Sequence, residues 1–132
     1  FRHDPDVLTL SVHCKTNFPF RKQESKIDVE LPDGTQDADY LRVLDDVLPK
    51  ALAFEPDIIF YQAGVDVLAT DTLGHLALTP EGARERDRRV MTAVKSFGIP
   101  LVVTQGGGYS KPIELTAQAH ANTFLTAREA FG

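Results

Sequence analysis

At 132 residues, 42% of them apolar, the chain is long enough to bury one core and too short to suggest two. Its formal net charge of -5, with acids and bases interspersed, offers no basic stripe for nucleic acid, and no stretch approaches the roughly 18 apolar residues of a membrane span. The single cysteine, Cys14, excludes an internal disulfide and lacks the pairing of a zinc ribbon, so a reducing, cytoplasmic setting is expected.

The sequence opens on Phe1 rather than methionine and carries no basic-then-apolar leader; a piece of a longer protein is expected. Residues 7–13, VLTLSVH, bounded by Asp4-Pro5-Asp6, read as a buried strand. KIDVELP alternates Ile27, Val29 and Leu31 before the turn Pro32-Asp33-Gly34 and reads as a second, weaker one. From Asp37 to Phe54, Leu41, Leu44, Val47, Leu48, Ala51 and Leu52 recur at helical spacing, and Pro49 is expected to bend or interrupt the helix near its end.

DIIFYQAG is apolar on both alternating faces, as a strand covered by helices on both sides would be. Thr79 and Pro80 supply a cap and a first-turn proline for a helix to Phe97, with Val90, Met91, Val94 and Phe97 inward and RERDRR outward. Gly98-Ile99-Pro100 breaks the chain before the strand LVVTQ and the run Gly106-Gly107-Gly108-Tyr109. Ser110 and Pro112 open a last helix, with Ile113, Leu115, Phe124, Leu125 and Phe131 placed on its core face. Alternating strands and helices predict a doubly wound α/β architecture, with ligands gathered beyond the carboxyl ends of the strands. Both the AGVD and GGGY turns fall there.

Asp66, just past a buried strand and introduced by Ala63-Gly64, can turn its carboxylate into that crevice or cap the following turn. Asp71, five residues on, is either a supporting acid or an ordinary loop carboxylate. The glycine run allows close backbone approach to a ligand, but neither G-x-x-x-x-G-K-[ST] nor G-x-G-x-x-G is present. Tyr109 can stand at the mouth of the crevice or bury its phenol on a structural hydrogen bond. The four histidines, His3, His13, His75 and His120, form no H-x-x-x-H or D-x-H pair. His75, in the loop after Asp66, is the one histidine placed near the crevice, or more simply a solvent-facing loop residue, and His120 reads as surface or packing. Catalytic zinc typically takes three protein ligands plus water, so Asp66 alone cannot hold one. Cys14 has no evident histidine and acid to activate it, since a strand turns adjacent His13 to the opposite face.

Taken in order, LTLSVH, NFPF, LPDGTQDADY, FYQAGVDVLATDTLGHLALTPEG and TQGGGYS resemble the second half of the histone deacetylase superfamily, closest to its bacterial and class IV-like branches. The resemblance spans about Asp4 to Pro112. It implies a zinc-dependent amidohydrolase on an arginase/deacetylase α/β fold, a mostly parallel sheet with helices on both faces, acting on acyl-lysine or an acylpolyamine-type amine. Asp66 matches the metal-binding aspartate of the family's G-x-D motif, and Tyr109 the tyrosine that hydrogen-bonds the acyl carbonyl. Phe18 matches an aromatic wall of the acyl-lysine tunnel, Leu73 a residue near its mouth, and Gly107 and Gly108 part of its floor. Ser11 and Val12 match positions that help bind a structural monovalent cation, normally potassium.

Gln105 stands where many relatives have another glycine, which affects only the local shape behind Tyr109. The family's tandem histidines and its D-x-H pair do not occur in this sequence. Two of three zinc ligands and the base are therefore missing, and the expectation is the C-terminal part, residues 1–132, of a single catalytic domain, inactive alone and dependent on the N-terminal half. The alternative is a non-catalytic binding or assembly remnant of the same fold. A ureohydrolase with two manganese ions is disfavoured by the single aspartate of AGVDV and by Tyr109.

Overall fold

A computed structural model describes all 132 residues. The elements run β1 (Leu10–Cys14), β2 (Ile27–Leu31), α1 (Asp37–Leu52), β3 (Ile59–Gly64), α2 (Pro80–Ser96), β4 (Leu101–Gly106) and α3 (Glu114–Phe131). Both strand pairs are parallel: β1 with β2, Leu10 opposite Ile27, and β3 with β4, Ile59 opposite Leu101. Parallel neighbours need a crossover, which α2 supplies between β3 and β4. The second pair therefore keeps its carboxyl ends, Gly64 and Gly106, side by side. Within the chain the strands form two separate pairs rather than one continuous sheet.

The start of α2 follows its sequence signals, but its faces do not wholly: Phe97, expected inward, is 64% exposed, and Arg86 and Asp87, from the run RERDRR expected outward, are buried. Thr79 accepts a hydrogen bond from the Gly82 amide at 2.9 Å and Pro80 occupies the first turn, so α2 starts where its cap and proline place it. The same threonine gives its amide and hydroxyl protons to Asp37, at 2.9 and 2.6 Å, pinning the start of α2 to the start of α1. Pro49 does not end α1, which continues to Leu52. One apolar cluster, Leu44, Leu52, Val90 and Val94, joins α1 to α2 and receives Ile59, Tyr61 and Leu101 from the sheet. A second, including Cys14, Val65, Leu68, Leu76 and Leu78, lies beneath the loops beyond the strands.

Three further expectations need correction. Residues 7–9 precede the first strand, because β1 pairs only from Leu10. β3 is covered on one side: Ile59 and Tyr61 pack on the helices while Phe60, on the other face, is 69% exposed. The last helix buries Thr116, Ala119, Thr123 and Thr126 and leaves Phe124, Leu125 and Phe131 exposed, with Ile113 exposed just before it. Small and hydroxyl-bearing residues occupy that face because α3 lies against α2, where Thr123 donates to the buried Asp87 at 2.7 Å.

Beneath the sheet the helical layer holds one buried ion pair. The Arg86 guanidinium lies 2.8 Å from Asp87, and Tyr61 donates its phenol proton to the same carboxylate at 2.5 Å. Burial works against the arginine's charge, yet Tyr61, Asp87 and Tyr40 around it hold its pKa above the ordinary arginine value. Arg86 also donates to the Gly64 carbonyl at 2.6 Å, fixing the end of β3. No helix is long and apolar enough to cross a membrane.

Candidate functional site

The crevice is built from the loops that leave β3 and β4. Gly64 and Gly106 end the paired strands opposite one another, so residues 65–75 and 107–110 emerge as neighbours. The Val65 amide donates to the Gly106 carbonyl at 3.0 Å, extending the pairing by one step. Beyond it the glycines close around Asp66. A Cβ on Gly107 would stand 2.6 Å from the Asp66 Cγ, and one on Gly64 2.8 Å from its Oδ1. Gly107 has φ +62° and Gly108 φ +109°, conformations open to glycine and strained for other residues. A side chain on Gly108 would strike Thr116 and Val65.

Asp71, left open by the sequence between support and ordinary loop, holds the two loops together. Its Oδ1 accepts the Leu73 and Gly74 amides at 2.8 and 2.7 Å, and its Oδ2 accepts the Tyr109 amide at 2.6 Å. The Tyr109 carbonyl in turn accepts from the Thr72 amide and hydroxyl, at 3.2 and 2.8 Å. Ser110 is pinned by Thr70 and Thr116. Capping of the turn is thus the work of Asp71. The half-buried Asp66 carboxylate is left with its own backbone amide as its hydrogen-bonding influence. Burial pushes its pKa above the ordinary carboxylate range, and the charge of Asp71 adds to that.

Tyr109 is 60% exposed, so its phenol is not the buried structural group that position alone allowed. Phe18, at 83%, and Leu73, at 61%, are also exposed on loops at this end of the strands. The Phe18 loop is tied to the Asp66 loop because Asn17 accepts the His75 amide at 2.9 Å. Phe18 stacks edge-on against Phe20, ring centroids 6.2 Å apart. Lower down, the Ser11 hydroxyl in β1 lies 2.8 Å from His13 Nδ1, and Val12 is part of the parallel ladder with β2.

Two histidines take specific partners that the sequence reading left open. His120 is half-buried, with its Nε2 3.3 Å from the Gly107 carbonyl beside the Asp66 turn. His75, although exposed, is not a free loop residue: its Nδ1 lies 2.7 Å from the Thr16 hydroxyl and 3.4 Å from Asp33. Nothing in the local sequence signals either contact, since the partners lie 13 and 59 residues away along the chain.

Comparison with known proteins agrees with this geometry. Residues 1–126 match the histone deacetylase domain family. The chain is 40% identical over 132 residues to an uncharacterized protein of Picosynechococcus sp., covering 99% of this chain and 44% of that protein. It is 38% identical over 112 residues to histone deacetylase 2 of Arabidopsis thaliana, covering 82% of this chain and 29% of that one. Among solved structures it superposes on the acetylpolyamine aminohydrolase from Burkholderia pseudomallei with a TM-score of 0.76 and 25% identity, over 96% of this chain and 39% of that one. A histone deacetylase homolog complexed with SAHA gives 0.69 and 27%, over 94% of this chain and 35% of that one. The arginase/deacetylase α/β fold read from the sequence is thereby established, and the chain spans less than half the length of these relatives.

Proposed function

The chain belongs to the histone deacetylase family, and on that premise we propose that it is the C-terminal part of a zinc-dependent amidohydrolase domain that removes acetyl or other acyl groups from acyl-lysine or an acylpolyamine-type amine. The observation that carries this reading is the Asp66 carboxylate. It is enclosed by Gly64 and Gly107 and free of the turn-capping duty that Asp71 performs, so it remains available to a ligand.

The fit to zinc is that of one ligand. The chain's only cluster of three metal-ligating side chains lies elsewhere and does not include Asp66. Since catalytic zinc typically takes three protein ligands and a water, Asp66 would be one, and the others, with the general base, would come from the N-terminal part of the domain. Bound zinc would polarise an acyl carbonyl and activate water. What this chain adds is Tyr109, whose phenol would donate to the carbonyl oxygen as negative charge develops on it. Phe18 and Leu73 would wall the acyl tunnel and its mouth, and Gly107 and Gly108 its floor, where a side chain would block both substrate and Asp66. Ser11, through its hydroxyl, and Val12, through its carbonyl, are oxygen donors suited to a monovalent cation such as potassium.

The relatives' greater length and the open β3 face around Phe60 support the reading that the rest of the domain covers this chain. Alone, the 132 residues are expected to be inactive and to self-associate. We place the whole protein in the cytoplasm, with acylated amine as its partner and no role for nucleic acid or membrane. The Burkholderia neighbour supports including polyamines in the substrate class.

The decisive experiment uses the full-length protein: zinc content and turnover on a panel of acyl-lysines and acylpolyamines, with and without Tyr109→Phe. One lost donor should lower kcat by roughly 100- to 1,000-fold, with Tm nearly unchanged. A zinc-free, inactive full-length protein would instead support the binding or assembly module.

A further inference from the structure

One group of side chains takes no part in the site above. Cys14 ends β1 with its side chain fully buried, Asp33 sits in the turn between β2 and α1, and His75 lies in the loop after Asp66. The Cys14 thiol donates to Asp33 Oδ1 at 3.2 Å, and His75 Nδ1 is 3.4 Å from Asp33 Oδ2. All three ligand atoms lie within 4.8 Å of one another. The Thr16 hydroxyl stands among them, 2.5 Å from Asp33, 2.7 Å from His75 and 3.6 Å from Cys14.

The backbone holds this arrangement in place. The His75 carbonyl accepts the Gly34 amide at 2.7 Å, one residue from Asp33, and the His75 amide donates to Asn17. The Lys15 amide donates to the Leu31 carbonyl at 2.9 Å beside Cys14. Three segments distant in sequence are thus anchored before any ligand arrives. The hydroxyl of Thr16 and the thiol of Cys14 hold the Asp33 carboxyl below its usual pKa, with His75 contributing in the same sense.

From this juxtaposition we propose that Cys14, Asp33 and His75 form a second metal site, separate from Asp66, for a borderline-soft divalent cation such as zinc. Sulfur, nitrogen and oxygen donors in one cluster select zinc over magnesium or calcium, which take oxygen. Tetrahedral zinc with bonds of about 2.0–2.3 Å sets its ligand atoms roughly 3.3–3.6 Å apart. The Asp33 carboxylate bridges the other two ligands, with Oδ1 3.2 Å from Cys14 and Oδ2 3.4 Å from His75, and the three ligand atoms, within 4.8 Å of one another, need to draw in by about an ångström to close on an ion. Charge balances as well: the thiol proton leaves to solvent, and thiolate plus carboxylate offset the two positive charges while the imidazole binds neutral. The ion would displace the Thr16 hydroxyl from its contacts with the three ligands, which Thr16, exposed, can allow by turning toward solvent, and water would take the fourth position. The ion would clamp the loop that carries Asp66 to the ends of β1 and β2.

The test is cobalt titration of chelator-treated full-length protein in an Asp66→Ala background, which removes the other proposed ligand and makes the outcome independent of the deacetylase reading. The expected result is one equivalent of cobalt with a thiolate-to-metal charge-transfer band in the near ultraviolet. Cys14→Ser should abolish the band. His75→Ala, at an exposed position that leaves the core intact, should weaken binding at least about tenfold, since outer-shell changes alone cost 10–100-fold. It should also remove the rise in Tm that zinc gives the parent. Cobalt bound without the band, a band that survives Cys14→Ser, or His75→Ala binding as tightly as the parent would overturn the site.

Discussion

Asp87 in the helical layer and Asp66 in the loop cluster are both carboxylates drawn out of bulk water, and they are treated in opposite ways. Asp87 is saturated: Arg86, Tyr61 and Thr123 all direct protons at it, and it is almost wholly buried. Asp66 is half-buried, fenced by glycines that bring backbone rather than donors, and pushed up in pKa by burial and by Asp71. A carboxylate whose donors are all supplied by the fold is part of the fold, and replacing it leaves a buried charge uncompensated. One kept partly dry with only its own backbone amide costs stability to maintain and is free to take a partner from outside. The first belongs to the fold, and the second is the one proposed to take a ligand.

The largest expected effect tests the stability side of that contrast. Asp87→Ala strands Arg86 and should cost about 3–5 kcal/mol in denaturant unfolding of the full-length protein. Asp66→Asn removes no donor and should stay within roughly 1 kcal/mol, in the range of ordinary substitutions. Equal losses at the two positions would erase the distinction.

A smaller effect is expected where the two roles meet. Gly107→Ala adds a Cβ 2.6 Å from the Asp66 Cγ at a residue with φ +62°. Strain of this kind costs of order 1–3 kcal/mol, and the clash has to be relieved by moving Asp66. Turnover should therefore fall further than the stability loss explains. Gly98→Ala provides the control: its φ is similar, +69°, but nothing lies within 4 Å of the added Cβ, so it should share the backbone cost and spare turnover. If both variants lose turnover alike, the proximity to Asp66 is without consequence.

Local rules carried the reading furthest where a signal and its partner lie close in the chain. The alternation of Ile27, Val29 and Leu31, the Thr79–Pro80 start of α2 and the break at Gly98 each involve neighbours a few residues apart, and each stands in the structure. Placement of AGVD and GGGY at one end of the sheet followed from parallel topology alone. The face of α3 was missed because hydrophobicity suggests burial only when packing wants bulk. Against α2 the helix uses Ala119, Thr123 and Thr126 instead, and the phenylalanines face outward. Cys14 is the sharper case. In the sequence its one neighbouring histidine, His13, points to the opposite face and no acid is adjacent, yet folding brings Asp33 and His75 to it from 19 and 61 positions away (33 − 14 and 75 − 14). Asp71 stood in between: a supporting role was readable and its Leu73 and Gly74 partners are local, but the Tyr109 amide depends on the meeting of two loops.

The smallest effect belongs to the outer face of α2, where charge is neither buried nor reserved for a ligand. Glu85 accepts from Arg88 at 2.6 and 2.7 Å and from Arg89 at 2.8 Å, and these bonds hold its pKa from an ordinary 4.5 down to about 2. A carboxyl whose folded pKa is depressed contributes stability that is complete above its unfolded pKa and is lost as pH falls toward the folded one. The stability difference between the parent and Glu85→Gln should therefore be steady at neutral pH and shrink between about pH 4.5 and 2. Because the arginines are solvent-accessible, screening should keep the difference below about 1 kcal/mol, and added salt should shrink it further. A difference as large as that of Asp87→Ala, or one insensitive to salt, would mean that this surface pair acts like the buried one, and burial would then not be what separates structural charge from solvated charge here.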